Sequence, residues 1–306
     1  MPSLKEIKGH IGSVKSTLKI TSAMKLVASA KLRKAQLAIE GMRPYEARLS
    51  GILAALSAEI AARQDRGEAV GEVSTLYTTP RAEIRRVAIV ALASNSSLCG
   101  GFNANAVRLV LDTIDGYRRA GITDITVYSI GRKMAETMKK VGYPSPADFT
   151  HLSDRPAYAP AADLAAALMD DFADGRYDRI DLVYNHFVSS ASQKPVCQAF
   201  LPAAKTNEGP VISGEVGKSP VSGAGYIVEP DPATAYTELL PQVIRLGLYT
   251  ALLDSAAAEH AARTIAMQTA TDNGEDLLDQ LTLEYNKGRQ QKITAELLDI
   301  VGGMAH

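Results

Sequence analysis

The stretch Ile20–Gln36, ITSAMKLVASAKLRKAQ, decides how this sequence folds. It is rich in Ala, Lys and Leu and holds neither Gly nor Pro, the composition of a strong helix former. An ordinary surface helix shows one apolar stripe and one polar face. Here Ile20, Ala23, Met24, Leu26, Val27, Ala28, Ala30, Leu32 and the following Leu37 spread around the whole helical wheel, interrupted by Lys25, Lys31, Arg33 and Lys34. A helix that is apolar on several sides and cationic as well needs protein, not water, around much of its surface.

Outward from this stretch the pattern becomes more regular. On its N-terminal side Leu4, Ile7, Ile11, Val14 and Leu18 step by 3 and 4 residues, the seam of a coiled coil. On its C-terminal side, helix-forming sequence resumes after Gly41 and Pro44 with YEARLSGILAALSAEIAARQ, and Pro44 is expected to kink or punctuate the helix rather than end it. The far end of the chain mirrors this. After EPDPAT a ladder runs through Leu239, Val243, Leu246, Thr250, Leu253, Ala257, His260, Thr264, Met267 and Thr271, then beyond Gly274 through Leu278, Leu281 and Tyr285. Its middle positions are small or weakly polar, so a partner helix can come close but packs shallowly.

Charge and length both pair these two ends. Residues 1–39 carry eight bases (Lys5, Lys8, Lys15, Lys19, Lys25, Lys31, Arg33, Lys34) against the single acid Glu6, whereas residues 250–306 carry nine acids against four bases. Opposite charge suits antiparallel packing of the two ends. A helix of ~60 residues is roughly 90 Å long, while a compact globule of this length is only about 50 Å across. Helices of that size project from their own chain, and a two-helix coil leaves apolar surface that something else must cover.

Composition excludes several classes. The 306 residues have a net charge of −1 and are 46% hydrophobic, so the protein does not bind nucleic acid through overall basicity. No run of about 18 apolar residues is present to span a membrane. The two cysteines, Cys99 and Cys197, imply no disulfide framework and suit a reducing compartment. The five histidines show no metal-ligand spacing. The basic N-terminal segment superficially resembles a transit peptide, but it is Lys-rich and its periodicity runs unbroken into the next helix.

Between the helical ends the texture changes. IRRVAIVALAS reads as a buried strand, followed by the loop LCGGFN and a helix from about Ala104 to Arg119. DITVYSIG is a second strand and RKMAETMKKVG a second helix; PAADLAAALMDDFADG is a third helix; DRIDLVYNHFVS and KPVCQAFLP read as a strand and its hairpin partner. Strands alternating with helices predict an α/β layer with a largely parallel sheet. AKTNEGPVISGEVGKSPVSGAGY, rich in Gly, Pro and Ser, reads as a surface loop or linker. SLCGGFNAN sits between strand and helix, where a phosphate cradle would lie, yet it fits neither dinucleotide nor P-loop spacing. Its glycines serve a tight turn equally well. Cys99 reads as a buried small residue rather than a nucleophile.

The blocks KITSAMKLVASAKLRKAQ, LCGGFN, SIGRK, YNHFVSSASQ, AAEHAARTIAMQTATDN and YNKGRQQKITAELLDIVGG occur in this order. Together they resemble the gamma subunit of the rotary F-type ATP synthase over essentially the whole chain. The pattern Arg289, Gln290, Ile293, Thr294, Glu296, Leu297 is the most specific part. The resemblance implies an α/β fold in three parts: a coiled-coil helix in residues 1–66, a Rossmann-like α/β domain in 67–230 and a second coiled-coil helix in 231–306, the two helices forming a long antiparallel coil. It further implies a shaft that couples transmembrane proton flow to ATP synthesis or hydrolysis. The partners would be the alpha and beta subunits of a catalytic hexamer, epsilon and delta, and the membrane c-ring, with the chain peripheral on the cytoplasmic face of a bacterial-type inner membrane and not inserted into it. Catalysis would belong to the beta subunits, so no catalytic residue, cofactor or metal is expected on this chain. By the same resemblance Met24, Lys25, Arg263, Arg289, Gln290 and Thr294 would contact the hexamer, and Ile293, Leu297, Ile300, Val301 and Met304 would form an apolar bearing tip. Gly274 and Gly288 stand where the family favours Ala, each costing ~1 kcal/mol of local helix stability. The residues also admit a nucleotide-binding Rossmann-like enzyme dimerised by its flanking helices, or an adaptor acting through the basic helix.

Overall fold

The computed structural model describes residues 3–68, 75–203 and 228–303. In chain order the elements are α1 (Leu4–Asp65), β1 (Arg86–Leu92), α2 (Phe102–Arg119), β2 (Asp124–Ile130), α3 (Arg132–Val141), α4 (Thr150–Asp154), α5 (Tyr158–Ala173), β3 (Arg179–Ser189), β4 (Ser192–Leu201) and α6 (Pro232–Gly303). They fall into two units. One comprises residues 1–30 and 263–306, the other residues 31–262. The Gly, Pro and Ser-rich stretch read above as a loop lies almost wholly outside the described residues.

In the unit of residues 31–262 the sheet order is β2-β1-β3-β4. β1 pairs in parallel with both β2 and β3, and β4 returns antiparallel on β3. The central strand shows why the sequence of β1 is apolar without alternation. Ala88, Val90 and Leu92 face one core, with α5, the second half of α1 and the first part of α6. Val87, Ile89 and Ala91 face the other, with α2 and α3. A strand covered by helices on both sides reads as a continuous hydrophobic run.

Polar groups fix the ends of these elements. Asp178 accepts the backbone N–H groups of Arg85 and Arg86 at 3.0 and 2.9 Å, and the Arg86 guanidinium at 3.2 Å, tying the start of β1 to the start of β3. Asp181, buried in β3, accepts from the Tyr117 hydroxyl and from Arg179 Nε. Burial first, then the Asp181 charge, pushes the Tyr117 phenol up. After β2, Gly131 adopts φ +98°, and a Cβ there would stand 2.0 Å from the Ala93 carbonyl oxygen, so only glycine fits this crossing.

The helices agree with the sequence reading at Pro44 and differ from it in the start of α2 and in an additional short helix. Pro44 does not end α1, which runs through it; Pro241 likewise lies inside α6. The cost of an interior proline is met by Leu53, Leu56 and Ile60 beyond Pro44 and by Leu240, Val243 and Ile244 around Pro241, all buried. α2 begins at Phe102 rather than Ala104, because Gly101 already occupies the cap position. The short helix α4 had no periodicity to announce it. The starts of the long helices are capped as local chemistry dictates. Ser3 and Glu6 exchange side-chain bonds with each other's N–H at 3.2 and 2.8 Å, a capping box. Asp231 accepts the N–H groups of Ala233 and Thr234 at the start of α6.

Candidate functional site

The unit of residues 1–30 and 263–306 contains the start of α1 and the end of α6. Their pairing is antiparallel with a constant register: Leu4 lies against Gly288, Leu18 against Gly274, and Thr21 against Thr271, where the hydroxyls bond at 2.9 Å. Lys25 reaches Gln268, donating to its Oε1 at 2.7 Å. Ile7, Ala28 and Met267 are buried in this unit. The two glycines acquire a physical reason. A Cβ at Gly274 would meet Leu18 Cδ2 at 2.7 Å, and one at Gly288 would meet Leu4 Cδ2 at 3.1 Å. Each glycine is a notch that receives a leucine, so the helix propensity it forgoes is returned as packing.

The charge complementarity of the two ends does not appear as ion pairs. Among the described residues, Lys5, Lys8, Lys15 and Lys19 form no ion pair with Asp272, Glu275, Asp276, Asp279 or Glu284. These side chains point outward instead. Lys25 reaches the neutral Gln268 instead, whose amide in turn donates to Asp272 at 2.6 Å. Exposed long side chains gain little from such pairing in water, which is why opposite net charge did not translate into contacts.

The apolar surface is likewise uncovered. Ile20, Leu26 and Val27 on α1 are exposed, Leu26 to 68%, and so are Ile265, Leu277 and Leu283 on α6. Beyond Gly288, which lies opposite the start of α1, α6 continues for about four turns without α1 beside it. Arg289, Gln290, Ile293, Thr294, Leu297 and Ile300 are all exposed on that segment, and Thr294 spends its hydroxyl on the Gln290 carbonyl at 2.9 Å. Met24, Lys25 and Arg263 are half-buried. The backbone of Val301 is helical but its side chain, like the whole of Met304, lies outside the described residues. The sequence-predicted residues therefore form two groups: Met24, Lys25 and Arg263 in the paired part of the coil, and Arg289, Gln290, Ile293, Thr294, Leu297 and Ile300 on the single helix.

In the unit of residues 31–262 the place where doubly wound folds bind ligands is the crevice at the carboxyl ends of the parallel strands. Here α6 fills it. Ala258 and Ala262 pack on Cys99 and Phe102, and Ala257 and Ala261 pack with Leu32. The LCGGFN loop is held by its own residues: Asn103 accepts the Ser94 N–H at 3.0 Å and donates to Cys99 Sγ at 3.2 Å, and Asn185 donates to the Phe102 carbonyl at 3.0 Å. Gly100, at φ +59°, turns the chain. A nucleotide would have to displace a buried helix to reach this loop. Among the described residues no cluster of His, Cys, Asp or Glu has the arrangement of a metal site, and no helix is long and apolar enough to cross a membrane.

A long coil bearing outward-facing apolar and charged residues, joined to an α/β layer whose ligand crevice is filled, has clear relatives. The family described as ATP synthase matches residues 3–306. The ATP synthase gamma chain of Phocaeicola vulgatus is 51% identical over 304 residues, covering 99% of each chain. The chain belongs to the ATP synthase gamma chain family. That of Bacteroides thetaiotaomicron is 45% identical over 313 residues, again with 99% of each covered. The fold matches a chain in the cryo-EM structure of the Euglena gracilis mitochondrial ATP synthase, OSCP/F1/c-ring, with a TM-score of 0.59 over 99% of this chain and 93% of that one, at 20% identity. Sequence reasoning missed the notches at Gly274 and Gly288 and the partner of Lys25, because each depends on which residue of the distal helix lies opposite.

Proposed function

We propose that this chain is the rotating central shaft of a proton-translocating F-type ATP synthase and that it carries no catalytic site of its own. The observation that carries this reading is the uncovered apolar surface of the coil, from Ile20 and Leu26 to Ile293, Leu297, Leu298 and Ile300. A sleeve of alpha and beta subunits would cover it, and non-directional apolar contact resists rotation less than fixed hydrogen bonds. In this reading residues 1–66 and 231–306 are the shaft and residues 67–230 the foot, which meets epsilon and the c-ring on the cytoplasmic face of the membrane, with delta elsewhere in the same complex. Met24, Lys25, Arg263, Arg289, Gln290 and Thr294 contact the sleeve, and Ile293, Leu297, Ile300, Val301 and Met304 form the bearing tip.

The mechanism is a population shift. A partner moves a conformational equilibrium only through differential contact energy. A single asymmetric shaft presents a different face to each of three catalytic sites. Turning the shaft exchanges these biases among the sites, so that proton-driven rotation becomes ATP synthesis and ATP hydrolysis becomes rotation.

Cys197 is exposed and Cys99 buried, so a probe attaches selectively to the α/β layer. With the hexamer fixed to glass and a bead on Cys197, ATP should turn the bead steadily in one direction. A bead that only fluctuates, in a complex that hydrolyses ATP, would remove the shaft reading.

A further inference from the structure

The carboxylate of Asp254 on α6 lies 2.7 Å from Nδ1 of His186 near the end of β3, and its other oxygen accepts the Phe187 N–H at 3.3 Å. The Asp254 side chain is only 4% exposed and that of His186 20%. We propose that this His186–Asp254 contact is the pin that fixes the rotational setting of α6 on the sheet and so carries torque between the α/β layer and the long helix. The inference rests on the shaft reading above and names the positioning residues inside it.

The surrounding packing explains why a pin is needed. Leu248 and Leu252 of α6 pack into the core beneath the sheet, but where α6 meets the end of β3 it presents Ala257, Ala258, Ala261 and Ala262. Methyl groups allow close approach but offer no knob to stop a helix from turning about its axis. Phe187 packs on this alanine face, against Ala257 and Ala261 and against Ala258 and Ala262. Its backbone N–H and the neighbouring His186 ring converge on Asp254, so one carboxylate anchors the strand end to the helix by two bonds. Glu46 of α1 and Asp254 both act on the buried Tyr184 of the same strand, whose phenol is raised first by burial and then by these two carboxylates. The end of β3 is thus where the sheet meets both long helices.

Geometry sets the sensitivity. A side-chain carboxylate stands about 5–6 Å from the helix axis, so a turn of ~10° moves it by ~1 Å. That is enough to lengthen a 2.7 Å contact beyond hydrogen-bonding range. Apolar contacts give way gradually over the same distance. The pin therefore resists small rotations that the alanine face tolerates.

The test uses the intact complex immobilised through its hexamer, with a bead on Cys197 and no nucleotide, and reads the width of the bead's angular fluctuation. Replacing Asp254→Ala or His186→Ala should roughly halve the torsional stiffness, widening the angular distribution about 1.4-fold, because a short polar contact is removed from a place where the packing is otherwise of alanine methyls. The exchange variant, His186→Asp with Asp254→His, should restore the width. Asp254→Asn keeps the shape and one bond to Phe187 and should fall between. Equal widths in wild type and in every assembled variant would overturn the pin. If the alanine variants fail to assemble, the Asp254→Asn width decides alone. Failure of the wild-type bead to turn when ATP is added would instead overturn the shaft reading, so the two failures are distinguishable.

Discussion

Replacing Gly274→Ala sets two effects of known sign against each other. Alanine is favoured over glycine inside a helix by ~1 kcal/mol, so on local grounds the substitution stabilises α6. The new methyl, however, would stand 2.7 Å from Leu18 Cδ2 and 3.3 Å from Cγ. Leu18 must withdraw its terminal methyl by about 1 Å to restore normal contact, which takes it partly out of the notch. Overpacking costs roughly 1–3 kcal/mol in a core and less at a half-buried, flexible leucine, so the two effects of Gly274→Ala should nearly cancel. In a Leu18→Ala background the obstacle is gone and the same substitution should stabilise by ~1 kcal/mol. The coupling between the two positions should therefore be ~1 kcal/mol. Amide hydrogen exchange of residues 267–281 in the full-length chain reads the local opening free energy without assuming a two-state transition. An identical effect of Gly274→Ala in both backgrounds would refute the notch and leave the glycine unexplained.

Three further outcomes follow from the same structure. Gly131→Ala should cost at least ~3 kcal/mol, because its Cβ would overlap the Ala93 carbonyl and its φ of +98° is strained for any L side chain; a melting temperature within a few degrees of wild type would contradict this. At Asp178, burial opposes ionisation, but the Arg85 and Arg86 N–H groups and the Arg86 guanidinium outweigh it and hold the carboxyl below its usual range. Its stabilising contribution is therefore present above about pH 4 and lost as pH falls through the lowered value; Asp178→Asn should cost ~1–3 kcal/mol at pH 7 and progressively less towards pH 2, as read by urea unfolding across pH. Deleting residues from Ile293 onward should lower the proton-pumping yield per ATP more than the amount of complex recovered, and loss of assembly with no intermediate coupling defect would count against the bearing tip.

Much of this architecture could be read from the sequence because its signals are local. β1 is an unbroken apolar run, and both of its faces are buried. The seam Leu4–Leu18 and the ladder through Met267 and Thr271 gave the coil by their spacing, and the capping box at Ser3 and Glu6 was also there to be read. What escaped was set by residues distant in the chain. Gly274 and Gly288 look like defects until Leu18 and Leu4 are placed opposite them. Opposite net charge predicted attraction between the two ends, but solvated side chains on a narrow coil have little reason to pair. The contact between His186 and Asp254 joins positions 68 residues apart, with no motif linking them.

The central claim is that one copy of this chain serves as the shaft within a collar of other subunits. Native mass spectrometry of the complex captured through the full-length chain measures this directly. The account predicts one copy of the chain with three alpha and three beta subunits. A homodimer of the chain without alpha or beta subunits would contradict it.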